Sequence, residues 1–103
     1  MAFTATLTTE AGTATIKLTG EIDASTAAQF HDKLDEAVAS AVQRLVLQAE
    51  ELTYLASAGL RVLVFARQKL GENVSIVITG AADPVARTIR MAGLDRSIEM
   101  TVA

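Results

Sequence analysis

The chain has 103 residues and a formal net charge of −3, and 50% of its residues are hydrophobic while only 4% are aromatic. This length suits one domain, so we expect residues 1–103 to fold around a single core of aliphatic side chains. The acidic balance argues against binding to nucleic acid or to an anionic membrane, and the lack of cysteine excludes disulfides, thiol catalysis and thiolate metal sites. Since we find neither a signal peptide nor a membrane span, we expect a cytoplasmic protein.

Two stretches near the start alternate between apolar and polar residues, as half-buried strands do. The first is Phe3–Thr8, and the second centres on Ala14, Ile16 and Leu18. A turn at residues 10–12 separates them, so the pattern predicts a β-hairpin. The alternation is predicted to end at Gly20, because Gly20–Asp23 breaks the period of two.

A first helix is predicted from a cap at Asp23 or Ser25 to about Ser40. His31, the only histidine, falls among charged residues, and we interpret it as a surface residue. The predicted apolar stripe of this helix consists of Ala27, Phe30, Leu34, Ala37, Val38 and Ala41.

The middle of the chain predicts a short core strand at Arg44–Gln48, a loop, and a second helix running to about Leu70. Gly71 suits the residue that follows a helix C-terminus. Ser57 lies where the loop meets the helix, at or next to the N-cap.

The last third predicts two more strands around a short helix. Val74–Ile78 is nearly continuously apolar, which is typical of a strand covered on both faces. Asp83 is predicted as the N-cap of the third helix and Pro84 as its first residue, with Gly93 at its end. A final strand is predicted at Ser97–Val102. The order β-β-α-β-α-β-α-β predicts an α/β domain with a mixed, partly parallel sheet and an N-terminal hairpin.

Ser57 has two interpretations. Its hydroxyl can accept a hydrogen bond from a free N–H group of the first helical turn, as a common N-cap residue does. A phosphate on the same hydroxyl would face the positive end of the helix dipole, which suits a phosphorylation switch.

The face of the second helix predicts a contact surface. At about 100° per residue, Leu60, Leu63, Ala66 and Leu70 cluster towards the core. Arg61, Phe65 and Gln68 fall on the opposite side, in line with Ser57. We therefore expect Phe65 to be exposed as part of a protein contact surface, with an isolated surface apolar residue as the alternative.

The residues do not assemble into a catalytic constellation. His31 has no serine and aspartate partners in an obvious arrangement, and the side chains of the adjacent Glu50 and Glu51 diverge. The sequence has no phosphate-binding glycine loop and no cluster of metal ligands. We expect no enzyme activity, no cofactor and no metal site.

Four segments in order resemble one family. Residues 18–23 match L-T-G-E-[LIV]-D, and residues 47–60 match a strand, loop and helix whose usual loop reads D-S-[ST]-G-[LIV]. Residues 83–85 resemble S-P-x-V, and residues 91–94 resemble [MT]-x-G-L. The chain thus resembles the STAS domain, the fold of bacterial anti-sigma factor antagonists, over nearly its whole length.

The resemblance implies that Ser57 is a phosphoacceptor. It implies a partner that is both anti-sigma factor and serine kinase, which the unphosphorylated antagonist binds and from which phosphorylation releases it. The partner-binding residues expected from the resemblance and from the helix face are Gly20, Glu21, Asp23, Ala56, Ser57, Ala58, Gly59, Arg61 and Phe65.

Two residues depart from the family's loop, because Ala56 replaces the aspartate and Ala58 replaces the second serine or threonine. These departures keep a second hypothesis open. Other members of the family are adaptors in stressosomes or lipid-transport complexes, and they dock partners without a known phosphoserine. An enzyme or a carrier of small ligands is a third hypothesis, which has little support in the sequence.

Overall fold

The computed structural model describes residues 2–103, which fold into five strands, three α-helices and one short 3-10 helix. In chain order, these elements are β1 Thr4–Glu10, β2 Thr13–Ile22, α1 Ala27–Ala39, β3 Arg44–Leu55, α2 Ser57–Leu70, β4 Ser75–Ala81, α3 Asp83–Met91, the 3-10 helix Leu94–Arg96 and β5 Glu99–Val102.

The sheet has the strand order β1-β2-β3-β4-β5, with β1 antiparallel to β2 and every later pair parallel. Each parallel connection advances by one strand in the same direction. Right-handed crossovers then place α1, α2 and α3 on one face of the sheet. A single core accordingly contains Phe30 of α1, Leu63 of α2 and Ile89 of α3. The predicted α/β class, element order and mixed sheet are confirmed.

The predicted burial of β4 on both faces is confirmed at Ile76, Val77 and Ile78, although only one face packs against the helical core. Ile76 and Ile78 point into the core beneath the helices, whereas Val77 lies outside that core and is still only 6% exposed. Val77 pairs in register with Val46 and Glu99 on the neighbouring strands. Val77 is thus buried on the face that carries no helix, and β4 has a neighbouring strand on each side, β3 and β5.

Strand β3 has 12 residues and is more than twice as long as predicted. The prediction missed its second half because two irregularities interrupt the alternation there. Up to Ala49 its core residues are two positions apart, but the next two, Leu52 and Leu55, each follow after three. The register with β2 shifts at the same places, leaving an extra residue on β3 each time. Such β-bulges break the period of two from which a strand is predicted. Strand β2 likewise continues through Gly20 to Ile22.

The first helix begins later than predicted, at Ala27, with Thr26 as its N-cap residue. Asp23 lies before it and closes the preceding turn. Phe30, Leu34 and Ala37 are buried as predicted, but Ala41 lies beyond the helix and is exposed.

Other boundaries shift by one or two residues. The N-cap of α3 is Ala82, so Asp83 is its first residue and not its cap. After Gly93, at φ +74°, the short 3-10 helix intervenes, and β5 therefore begins at Glu99, later than predicted. The predicted C-terminus of α2 at Leu70, followed by Gly71 at φ +75°, is confirmed. No helix within residues 2–103 is long and apolar enough to cross a membrane.

Candidate functional site

The ends of β2 and β3 lie side by side directly before α2. Ile22 pairs with Leu55 in register, and the Ala56 N–H donates to the Ile22 carbonyl at 2.8 Å. Because parallel strands end at the same edge of the sheet, Gly20–Asp23 reaches the start of α2. The structure therefore brings together the two segments that the sequence singled out, Gly20–Asp23 and Ala56–Gly59.

Gly59 sets how closely α2 approaches this edge. A Cβ at position 59 would lie 2.5 Å from Cδ1 of Leu55 and 2.7 Å from Cγ2 of Ile22. A side chain here would therefore push the first turn of α2 away from the strand ends.

Gly20 meets two demands that only glycine satisfies. Its φ is +98°, and a Cβ would lie 2.6 Å from the Ala2 carbonyl oxygen. Its own carbonyl accepts a hydrogen bond from the Thr53 hydroxyl at 3.1 Å. Thr53 is the extra residue of the second bulge in β3, so its side chain ties the bulge to β2.

Ser57 is exposed and is the first residue of α2. The N-cap is Ala56, with φ −85° and ψ 170°, and it has no side-chain oxygen for the free N–H groups of the first turn. The predicted position of Ser57, at or next to the N-cap, is confirmed, but the interpretation of Ser57 as the cap itself is wrong, because Ala56 is the N-cap residue. The residues on either side, Ala56 and Ala58, have no hydroxyl group. Ser57 therefore supplies the exposed hydroxyl at the start of this helix.

Asp23 organises the loop between β2 and α1. Its carboxylate accepts hydrogen bonds from the Ser25 hydroxyl at 2.6 Å, the Ser25 N–H at 2.9 Å and the Thr26 N–H at 3.1 Å. The Ser25 hydroxyl is the largest of the influences that lower the pKa of Asp23 below its ordinary 3.8. The Thr26 hydroxyl in turn accepts from the Asp23 N–H and donates to the Glu21 carbonyl, at 2.9 Å each.

The exposed face of α2 differs from the predicted one. The buried residues are Gly59, Val62, Leu63 and Ala66, and Leu60 and Leu70 are only half-buried. The core face is thus rotated from the predicted one, and Val64 replaces Phe65 on the outward side. The outward residues in line with Ser57 are Arg61, Val64 and Gln68.

Phe65 is half-buried in the seam between α2 and α1, so the expectation of an exposed Phe65 is wrong. Its ring centroid lies 4.8 Å from that of His31, with the planes tilted by 35°. The Lys69 ammonium lies 5.5 Å from the same centroid, within cation–π range. His31 is likewise half-buried, with Nδ1 3.4 Å from an Asp35 carboxylate oxygen. Phe65 therefore has a packing role whatever its part in binding.

An acidic residue and a basic residue lie on the two elements that meet near Ser57. Glu21 lies at the end of β2, and Arg61 lies one turn along α2 from Ser57; both are exposed. Within residues 2–103, neither takes part in an ion pair; the pairs there are Lys17–Glu51, His31–Asp35 and Lys33–Glu36. Both charges are free to meet a partner. In the same part of the chain, no cluster of histidine and carboxylate side chains is placed to hold a metal ion.

Sequence reasoning missed two exposed apolar residues on the two elements that meet at Ser57. Val64 lies on the outward face of α2, and Tyr54 lies near the end of β3, at 38% and 47% exposure. If the buried face of α2 had been predicted correctly, Val64 would have been placed on its exposed face. No pattern in the sequence indicates that Tyr54 is exposed, because the direction of its side chain depends on the bulge at Thr53.

Comparisons with known proteins agree on one family. A family model described as "Mlab, STAS domain" matches residues 5–102. The anti-sigma-F factor antagonist RsfB of Mycobacterium tuberculosis is 30% identical over 97 residues, which cover 94% of this chain and 80% of RsfB.

Solved structures share the fold. An anti-sigma factor antagonist from Mycobacterium paratuberculosis is similar with a TM-score of 0.89 at 24% identity, over 99% of this chain and 87% of that one. The anti-sigma factor antagonist SpoIIAA in its unphosphorylated form is similar with a TM-score of 0.72 at 22% identity, over 99% and 89%. From the family model and the identity to RsfB, this chain belongs to the STAS domain family.

Proposed function

We propose that this protein is an anti-sigma factor antagonist that acts in the cytoplasm by partner switching. Unphosphorylated, it binds an anti-sigma factor that is also a serine kinase, and phosphorylation of Ser57 releases it. In this proposal it is a binding protein and not an enzyme. Membership of the STAS family and the name of its relative RsfB support the proposal.

The observation that carries the proposal is the position of Ser57. Its side chain is exposed at the first residue of α2, and Ala56 leaves the first turn without a side-chain cap. A phosphate there would meet free N–H groups at the positive end of the helix dipole. The folded state can therefore carry the modification without rearrangement.

The same phosphate would oppose binding. It adds a charge of about −1.5 to −2 at the start of α2, next to the Gly20–Asp23 segment, which already carries two acidic residues. When a partner covers this surface, that charge loses its water, which is costly unless a cation compensates. The phosphate is thus tolerated by the free protein and unfavourable in the complex, which is what release on phosphorylation requires.

Ala56 and Ala58 favour a second candidate function, that of an adaptor without phosphorylation. Neither side chain can hydrogen-bond to the Ser57 hydroxyl or to a phosphate on it. A kinase brings its own base, nucleotide and metal, so the missing side chains slow the transfer without removing the acceptor. An adaptor in a stressosome or lipid-transport complex would use the same surface for constant binding.

Phosphorylation by the cognate kinase separates these functions. We expect incubation with kinase and ATP to add one phosphate, which peptide mass mapping locates at Ser57. The Ser57→Ala variant should gain none, and a known substrate of the kinase confirms its activity. A phosphate found only elsewhere, or none from an active kinase, would favour the adaptor.

A further inference from the structure

The two edges of the sheet are protected unequally. Within residues 2–103, the edge strands are β1 and β5. Strand β5 has four residues, contains Glu99 and pairs with β4 through an irregular register. A short length, a charged side chain and an irregular register each discourage a further strand from pairing. Strand β1 has seven residues, pairs with β2 without a register shift and carries no charge before Glu10, so none of these features protects Thr4–Thr9.

The hairpin turn determines which backbone groups of β1 point away from β2. Glu10 pairs with Thr13 across a two-residue loop, in which Ala11 and Gly12 have φ angles of +51° and +82°. The residues that flank such a loop form a hydrogen-bonded pair, and from there every second residue of β1 bonds to β2. The N–H and C=O groups that point out from the edge are therefore those of the residues in between, Ala5, Leu7 and Thr9.

The side chains at this edge are partly apolar on one face and polar on the other. Ala5 and Leu7 pack against the core on the helical face but are only half-buried. Ala5 also lines an open groove between β1 and α1, with Lys33 of α1 among the residues around it. On the open face of the sheet, the exposed side chains of β1 are Thr4, Thr6 and Thr8. The edge thus offers outward backbone groups between a partly apolar side and a row of threonines.

We propose that β1 pairs with β1 of a second copy of this chain, antiparallel and around a two-fold axis at Leu7. In this register the outward groups of Leu7 meet those of Leu7 in the second copy, and those of Ala5 meet those of Thr9. All three outward residues of each strand are then hydrogen-bonded. On the open face Thr6 lies opposite Thr8 of the other copy, and threonine pairs across strands are favourable. The two sheets join into one continuous sheet.

A second copy suits this edge in charge and in shape. Each copy has a formal net charge of −3, so two copies approach most easily along a stretch without charge, as Thr4–Thr9 is. Pairing brings the two Leu7 side chains together and covers the exposed parts of Leu7 and Ala5. The edge also lies away from Ser57, because β2 and α1 separate β1 from α2. The inference is therefore independent of the proposed function, and the dimer presents two copies of the Ser57 surface.

Charge substitutions on the open face test both the dimer and its register. Thr6→Glu combined with Thr8→Glu places like charges opposite each other at both threonine pairs, so the dissociation constant of the dimer should rise about tenfold or more. Thr6→Glu combined with Thr8→Lys places opposite charges there, and the constant should stay within about threefold of the wild type. The matched control is Gln48→Glu combined with Ser75→Glu, which adds the same two charges to β3 and β4 on the open face and should also stay within about threefold.

Sedimentation velocity over a range of protein concentrations measures the dissociation constant, and thermal melting shows that each variant folds. Hydrogen exchange followed by NMR gives an independent readout. The amides of Ala5, Leu7 and Thr9 should become protected as the concentration rises, whereas those of Thr6 and Thr8 should be protected at every concentration.

A wild type that stays monomeric up to millimolar concentration would overturn the inference. So would a dimer that Thr6→Glu with Thr8→Glu weakens no more than the control does. Equal weakening by the two variants of β1 would overturn the register around Leu7. None of these results bears on the binding of a partner at Ser57, so the proposed function would stand or fall separately.

Discussion

Gly59 of α2 packs against Ile22 at the end of β2, with no room for a methyl group between them. This contact holds α2, which carries Ser57, against the end of β2, which is part of the Gly20–Asp23 segment. The position of one proposed contact region thus depends on the other.

We expect Gly59→Ala to lower the free energy of unfolding by about 1–2 kcal/mol. Crowding of a packed contact costs about 1–3 kcal/mol, and the better helix propensity of alanine offsets up to about 1 kcal/mol. Urea unfolding measures the change, and Val64→Ala on the outward face is the control, expected within about 0.5 kcal/mol of the wild type. A more stable Gly59→Ala variant would show that α2 can shift away from Ile22.

Phe65→Ala should destabilise the fold by about 2 kcal/mol, because it removes a half-buried ring from the seam between α1 and α2. A double-mutant cycle with His31→Ala should give a coupling energy of about 0.5–1.5 kcal/mol. Additive effects in that cycle would mean that the two rings do not interact in solution. Because Phe65→Ala is expected to be less stable, its partner binding must be measured at a temperature where the variant is folded.

Arg67→Met should destabilise the protein by about 2 kcal/mol. The Arg67 guanidinium donates to the backbone carbonyls of Val74 at 2.6 Å, Ser97 at 3.1 Å and Gly71, and so joins α2 to the two segments beside its C-terminus. Arg67→Lys should recover only part of the loss, since an ammonium lacks the planar fork that reaches several carbonyls. Arg61→Met, on the exposed face of the same helix, should change stability by less than about 0.5 kcal/mol; an equal loss there would argue against a specific role for Arg67.

Asp23 should make the fold sensitive to acid. Since its pKa is lowered in the folded state, its contribution is fully present above its ordinary pKa of 3.8 and is lost as the pH falls through the folded value. Ser25→Ala should raise the pKa of Asp23 towards 3.8, as followed by NMR titration of the carboxyl carbon. The remote Ser40→Ala should leave it unchanged, and no shift with Ser25→Ala would rule out the Ser25 hydroxyl as the main cause.

Much of the fold follows from sequence patterns. The alternation around Ile16, the helical spacing of Phe30 and Leu34, and Pro84 at a helix start each reflect local geometry. The alternation of strands and helices along the chain predicts the parallel part of the sheet. The second half of β3 could not be predicted in this way, because each bulge interrupts the alternation of buried and exposed residues.

The sequence predicts where the site lies along the chain, but not which of its side chains are exposed. The neighbouring ends of β2 and β3 follow from the parallel sheet, which brings Asp23 near Ser57. The burial of Phe65 depends on where α1 packs against α2, and this is a long-range contact that the sequence of α2 does not reveal. The direction of Tyr54 depends on the bulge, which is equally invisible in the local pattern.

The proposed switch is tested most directly by the affinity of Ser57→Asp for a verified anti-sigma factor, measured by calorimetry beside Ser57→Ala and the wild type. Negative charge at the helix start should keep or raise stability by about 0.3–1 kcal/mol, while it opposes desolvation in the interface. We predict that Ser57→Asp melts no lower than the wild type but binds at least tenfold more weakly, about 1.4 kcal/mol or more, while Ser57→Ala keeps its affinity. An unchanged affinity of Ser57→Asp would contradict the electrostatic switch and leave Ser57 as an ordinary residue of the first helical turn.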